Sequence, residues 1–399
     1  MHKQKDFMMY IEIFNSSQAD SYIKGFLTMS FGYPLRSIKL MKQSIFSFAT
    51  KICLKKKDIT MKKVLLVFTI FVLTLSFEAI HGQNKMVSSL KHVPFIKLDT
   101  VRNVTTQTEW DHHFQIVKIK SKIDGHIQKA YFYSSKSNTP KPLIVSLHTW
   151  SGDYTQSDDL AEFCRQKELN YIHPDFMGAN FTKDACCSEL ALNDIDESIT
   201  YSIQNSKVDT TKIYVIGFSG GGYATLCAFM KLKHSVRKFS AWASISDLLA
   251  WYNESRIRKN NYDENILVCT ESKNGILSEV AAKEKSPIYW STPVKKALKT
   301  KLFIYAGVYD GIQGSVPITH SINFYNKVLT DLLATDSSQF ATNNEKLKLL
   351  EYQKALGEYG SISGRKIFLQ KTYGNIKLVV FEGNHEILTE YAFTELLEE

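Results

Sequence analysis

Ser219 is the residue whose surroundings most plainly suit a chemical task. It sits in Gly217-Phe218-Ser219-Gly220-Gly221, between the apolar run Ile213-Tyr214-Val215-Ile216 and the segment Gly222-Tyr223-Ala224-Thr225-Leu226-Cys227-Ala228. The first reads as a strand and the second as a helix, so the serine occupies the sharp turn between them. Such a turn lifts a hydroxyl clear of the backbone. It also strains the serine and crowds its neighbours, which is why they are glycines. A serine presented this way suits nucleophilic attack on a carbonyl, given a base and an acid to orient that base.

Both partners follow in the chain. Lys301-Leu302-Phe303-Ile304-Tyr305-Ala306-Gly307 reads as a buried strand, and Asp310 lies three residues beyond its glycine. Ile376-Lys377-Leu378-Val379-Val380-Phe381 reads as another, followed by Glu382-Gly383-Asn384-His385. Each has a plainer reading when taken alone, Asp310 as a turn aspartate before Gly311 and His385 as a residue at a helix start. Together, a serine, an acid and a histidine in that order, each at the carboxyl end of a strand, read as a catalytic triad.

From about Lys141 onward the chain resembles the α/β-hydrolase-fold serine hydrolases related to prolyl oligopeptidase and to acyl (carbohydrate) esterases. The resemblance is carried by Gly217-Phe218-Ser219-Gly220-Gly221-Gly222, Ser286-Pro287, Gly307-Val308-Tyr309-Asp310, Ser315-Val316-Pro317 and Gly383-Asn384-His385-Glu386. It implies that the acid, the Val-Pro pair and a following helix form one unit. Gly311-Ile312-Gln313-Gly314 is longer than the family's usual spacer there. The family also places a His-Gly-Gly-type segment after an early core strand. Here Leu143-Ile144-Val145-Ser146-Leu147 leads into His148-Thr149-Trp150-Ser151-Gly152, with Thr149 and Trp150 where the glycines stand. The expected oxyanion donors are the N–H of Gly220 and that of Thr149 or Trp150. Trp150 either walls the pocket, where a ring suits a sugar or aryl face, or fills a gap between loop and core.

The elements that position these residues follow from pattern. Phe114 to Lys120 and Ile127 to Tyr133 alternate around Asp124-Gly125, a hairpin signal. Strands separated by helices follow at Leu143–Leu147, Asn170–His173, Ile213–Ile216, Trp242–Ile245, Leu302–Ala306 and Leu378–Phe381. That alternation predicts a mostly parallel sheet with helices on both faces, the α/β-hydrolase fold. The segment 249–289 interrupts the rhythm and reads as a helical cap insertion, or as a solvated helical connection. With His148, its Trp251, Arg256 and Arg258 are candidate substrate-binding residues, able to hold a sugar and a carboxylate. Ala334 to Lys346 reads as a surface loop.

The first 82 residues of the 399-residue sequence have a different character. Met61-Lys62-Lys63 and the apolar run Val64 to Leu73, with Ala79-Ile80-His81-Gly82 beyond, read as a secretory signal cleaved before Gln83. Residues 61–82 are then the signal, residues 1–60 an extension ahead of the true initiator, and 83–399 the hydrolase domain, exported to periplasm or medium without a stable membrane anchor. Residues 1–82 carry 12 Lys/Arg and 5 Asp/Glu, a net of +7 out of the chain's +9, so about +2 remains for the rest. The basic balance therefore says little about polyanionic partners, and no nucleic-acid-binding motif is present. Of the cysteines after Gln83 (Cys164, Cys186, Cys187, Cys227 and Cys269), an odd number, at least one is unpaired. Cys227 reads as a buried apolar residue, and a disulfide from Cys186 or Cys187 to Cys164 or Cys269 is an open alternative. No zinc-ligand spacing occurs, and no metal or cofactor is expected.

Three activities fit these residues. The leading expectation is an exported esterase removing acyl groups from a polysaccharide or oligosaccharide. The second is dehydratase- or lyase-type elimination on an acidic (uronic) oligosaccharide, suggested by the altered Thr149-Trp150 segment. The third is a prolyl-oligopeptidase-like peptidase; fewer than sixty residues between Gln83 and the first core strand leave no room for that family's propeller, which favours the esterase.

Overall fold

Runs such as Leu143-Ile144-Val145 and Tyr214-Val215-Ile216 are apolar at consecutive positions, which a strand can tolerate only when both faces of its sheet are covered. The computed structural model describes residues 110–398, and there these runs form the centre of a ten-stranded sheet. Its strands are β1 (Gln115–Lys120), β2 (Ile127–Tyr133), β3 (Lys141–Leu147), β4 (Asn170–Pro174), β5 (Val208–Phe218), β6 (Lys238–Trp242), β7 (Lys301–Gly307), β8 (Ser361–Ile362), β9 (Arg365–Tyr373) and β10 (Ile376–Phe381). The order is β1-β2-β4-β3-β5-β6-β7-β10-β9-β8. β1 and β2 pair antiparallel, β2 joins β4 antiparallel, and β4, β3, β5, β6, β7 and β10 are parallel neighbours. This is the α/β-hydrolase fold. The region 1–82, with the expected signal and extension, lies outside the described residues. No helix among those described is long and apolar enough to cross a membrane.

Helices cover both faces. Ile144, Tyr214, Trp242, Tyr305 and Val379 form one apolar cluster with residues of α1 (Asp159–Gln166) and the C-terminal α10 (Thr389–Leu397). Val145, Val215, Phe239, Ile304 and Leu378 form the other with α2 (Glu189–Asn205), α3 (Gly220–Lys231) and α8 (Ile318–Asp331). Between β6 and β7 come α4 (Leu248–Arg258), α5 (Tyr262–Cys269), α6 (Glu279–Glu284) and the short α7 (Val294–Ala297). The interruption read as a cap is thus helical.

Register matters most for function. Leu147 pairs with Gly217, Phe218 with Trp242, and Gly307 with Phe381. The parallel strands therefore end level, and the segments after β3, β5, β7 and β10 leave the sheet along one edge. Two elements differ from expectation. The strand expected at Trp242–Ile245 ends at Trp242 instead, because Ala243 turns out of the extended region at φ 45°. The residues after it are still buried, since Gly222 of α3 packs directly on Ser244. An apolar run therefore does not reveal where pairing stops. The Ala334–Lys346 stretch is also not simply a loop: α9 (Asn343–Tyr352) begins there, with a capping box between Thr342 and Glu345.

Candidate active site

Three strand ends build the site. β5 delivers Ser219 in a left-handed conformation, φ 57° and ψ −116°, which costs a non-glycine residue on the order of 1 kcal/mol or more. The surrounding structure holds it there: Ser219 N–H donates to Trp242 O at 2.9 Å, and Ser219 O accepts from Tyr223 at 2.9 Å. Gly220 begins α3, and a Cβ there would stand 2.2 Å from Trp150 N. Only glycine lets the turn after β3 lie against the start of this helix.

Asp310 follows β7 and is 2% exposed. Its Oδ1 accepts from Gly311 N–H at 2.8 Å and Val316 N–H at 3.0 Å, leaving Oδ2 for His385 Nδ1 at 2.7 Å. The long spacer is accommodated by folding over the pair, since a Cβ on Gly314 would meet Asp310 Oδ1 at 2.3 Å. His385 follows β10, in a loop tied to β7 by Tyr309 N–H donating to Gly383 O at 2.9 Å. Its Nε2 lies 2.8 Å from Ser219 Oγ. A carboxylate beside Nδ1 fixes the proton there, so Nε2 is the acceptor for the serine hydroxyl. The structure thus brings Ser219, His385 and Asp310 into one hydrogen-bonded line.

In the turn after β3, Thr149 and Trp150 differ in what their amides face. Thr149 N–H donates to Gln156 Oε1 at 3.0 Å, and its hydroxyl donates to the same oxygen at 2.7 Å. That amide is already used, so Thr149 is not the donor expected. Trp150 N–H has no acceptor among the described residues and lies beside Gly220. Gln156, seven residues along in a loop, was invisible as a site residue because nothing in its neighbourhood repeats or caps. Trp150 itself is 2% exposed. Its Nε1–H donates to Asn265 Oδ1 at 3.1 Å, and its ring meets Trp251 edge-on at 4.8 Å. Asn265 lies on α5 and Trp251 on α4, so the cap packs on this turn.

The four expected substrate-binding residues fare differently. His148 is fully buried, stacked on Phe176 at 3.9 Å, with Nδ1 2.9 Å from Thr149 O and Nε2 3.0 Å from Asp175 O. Burial pushes its pKa down, against the two carbonyls that favour the protonated ring. Each ring nitrogen faces a backbone carbonyl and the side chain is fully buried, so His148 shapes the turn. Trp251 is 1% exposed, stacked on Tyr262, and donates from Nε1 to Ser315 O at 2.9 Å. Arg258 Nε–H donates to Gly311 O at 2.6 Å, fastening α4 to the acid loop. Arg256 remains exposed, its guanidinium 5.6 Å from the centre of the Tyr252 ring. All five cysteines among the described residues are free and buried. Among those residues the one group of three side chains able to share an ion is Asp111, His112 and His113, adjacent in sequence at the surface.

The fold and this line of serine, histidine and aspartate define a serine hydrolase. Residues 176–342 match the prolyl oligopeptidase family. No curated protein matches the sequence. Similar solved structures include an acylaminoacyl peptidase from Pyrococcus horikoshii (18% identity, TM-score 0.44, 55% of this chain and 35% of that one). A puromycin-hydrolyzing peptidase of Mycobacterium tuberculosis is similar at 13% identity and TM-score 0.47, over 71% and 37%. Dipeptidyl peptidase 4 of Porphyromonas gingivalis is similar at 16% and 0.42, over 59% and 35%. Each match spans about a third of the other protein's length.

Proposed function

We propose that this protein hydrolyses amide bonds of small peptide or acyl-amino substrates by covalent acyl transfer. The observation that carries the reading is the Ser219–His385–Asp310 line, at 2.8 and 2.7 Å, in a chain that matches the prolyl oligopeptidase family over residues 176–342. His385 Nε2 takes the Ser219 proton as Oγ attacks the carbonyl carbon. Asp310 holds the ring in the required tautomer and stabilises the imidazolium. The N–H groups of Gly220 and Trp150 receive the oxyanion. His385 then protonates the leaving amine, and water, deprotonated by the same nitrogen, releases the acid and restores Ser219.

One feature that pointed to each of the two other readings looks different in the structure. An open aromatic face suited a sugar, but Trp150 and Trp251 are 2% and 1% exposed. Elimination was attractive because Thr149 and Trp150 replace glycines, yet the Trp150 amide remains free to receive an oxyanion. The test is a panel of aminoacyl and peptidyl anilides run beside acetylated and uronic oligosaccharides, followed by mass spectrometry. Release of the amine, with the oligosaccharides intact, supports the peptidase reading. Loss of acetyl groups without amide cleavage returns it to an esterase, and loss of water to elimination. The expected export goes with this proposal, and N-terminal sequencing of native protein should then begin near Gln83.

A further inference from the structure

Behind Trp150, buried sulfur collects at one point. Cys186 lies in the loop before α2, and Cys269 closes α5 of the cap. Their sulfurs are 2.9 Å apart across 83 residues of sequence, and both side chains are fully buried. A disulfide bond is about 2.05 Å long, so the pair stands within about 1 Å of bonding distance. Cys164 belongs to the other apolar cluster and cannot compete for either. The surroundings also separate the two thiols chemically. Burial opposes ionisation of Cys186. The Cys269 hydrogen bond, the Lys285 ammonium and the Tyr223 hydroxyl 3.5 Å away outweigh it and hold the thiol below its usual pKa. One sulfur is thus biased toward the attacking thiolate.

We propose that Cys186 and Cys269 form a disulfide that fastens the cap to the core beside the oxyanion turn. The oxidant is a small-molecule or protein disulfide. Cys186 thiolate attacks one of its sulfurs, breaking that S–S bond and releasing the first thiol. Cys269 sulfur, giving up its proton, displaces the second thiol and closes the intramolecular bond. Two cysteines lose two electrons, and the oxidant disulfide leaves as two thiols.

The position gives this bond a consequence for the site. α5 carries Asn265, which receives the Trp150 Nε1–H, and Tyr262, which stacks on Trp251 at 4.8 Å. On the core side, Tyr223 lies one turn after Ser219, and its hydroxyl lies 2.5 Å from the Lys285 carbonyl and 3.1 Å from that of Cys186. Closing the bond therefore pins the helix that props the oxyanion turn to the helix that starts at the nucleophile. The proposal does not depend on which acyl substrate is used.

The test holds the purified full chain in an oxidising glutathione buffer containing urea below its unfolding midpoint, so that the buried pair can open. Free thiols are then alkylated under denaturing conditions, and peptides are mapped without reduction. The expected result is a single cross-link between Cys186 and Cys269, with Cys164, Cys187 and Cys227 alkylated. Reductant should lower Tm by several degrees in wild type and in Cys187→Ser, and leave Cys269→Ser unchanged. Alkylated Cys186 and Cys269, or a cross-link through Cys187, would overturn the assignment. If Cys269→Ser does not fold, the wild-type peptide map still decides.

Discussion

At the scale of single residues, the site separates groups that react from groups that aim them. Removing the nucleophile with Ser219→Ala should cost about 10⁴-fold or more in kcat, since triad members act as a unit. A fluorophosphonate should label wild type at Ser219 and leave the variant unlabelled; labelling elsewhere, or retained turnover, would sink the acyl-transfer reading. Gln156 is the aiming residue that sequence could not disclose. Its Oε1 occupies both the N–H and the hydroxyl of Thr149 and so holds the turn in which the next amide, that of Trp150, lies beside Gly220. Losing an oxyanion donor outright costs about 10²–10³ in kcat. Gln156→Ala only loosens one, so about a tenfold fall in kcat is expected, with KM little changed and Tm within a few degrees of wild type. A KM effect with unaltered kcat would instead make Gln156 a substrate contact.

At the scale of elements, α4 is a brace more than a substrate clamp. Arg258 near its C-terminus holds Gly311 O, and Glu254 accepts from Nε2–H of the buried His320 on α8 at 2.9 Å. His320 Nδ1 accepts Ser246 N–H at 3.2 Å, which leaves Nε2–H to face Glu254. If Arg258 steadies the loop that begins at Asp310, Arg258→Ala should lower kcat/KM by about tenfold, roughly 1.4 kcal/mol, on neutral and acidic substrates alike. A loss confined to acidic substrates would restore the carboxylate-binding role that its charge suggests. This difference shows what was legible beforehand. The strands, their order of use and the line Ser219, Asp310, His385 could be read, because buried parallel strands have continuous apolar runs and their loops start at predictable residues. The brace could not be read. Arg258 and Gly311 are 53 residues apart, and nothing in either neighbourhood marks the pairing. The edge strands β8 and β9 were equally hidden, since Arg365–Tyr373 mixes charged with apolar residues and lacks the run that marks a central strand.

At the scale of the whole molecule, stability against pH is set partly by a carboxyl far from the chemistry in sequence. Asp194 on α2 is 1% exposed, neither of its oxygens has a hydrogen bond of ordinary geometry among the described residues, and the nearby Met177 N–H only partly favours its ionised form. Burial, followed by the carboxylates of Glu197, Asp124 and Asp175, raises its pKa from 3.8 to about 7. His126, with Nε2 3.8 Å from Oδ2, is the facing group that could offset this when protonated. Between pH 4 and 7 the folded state keeps the Asp194 proton and the unfolded state has lost it. Stability must then fall as pH rises through that window, by at most about 1.4 kcal/mol per pH unit, and level off above it. Asp194→Asn keeps the shape and removes the charge. It should match wild type near pH 4 and exceed it by about 2–4 kcal/mol at pH 8, read as a Tm higher by several degrees. The same comparison separates burial from ordinary surface charge. A surface carboxylate would give parallel Tm curves for the two proteins from pH 4 to 8, and parallel curves would mean that Asp194 is ionised in the folded state with a partner on α2 or the β1–β2 turn.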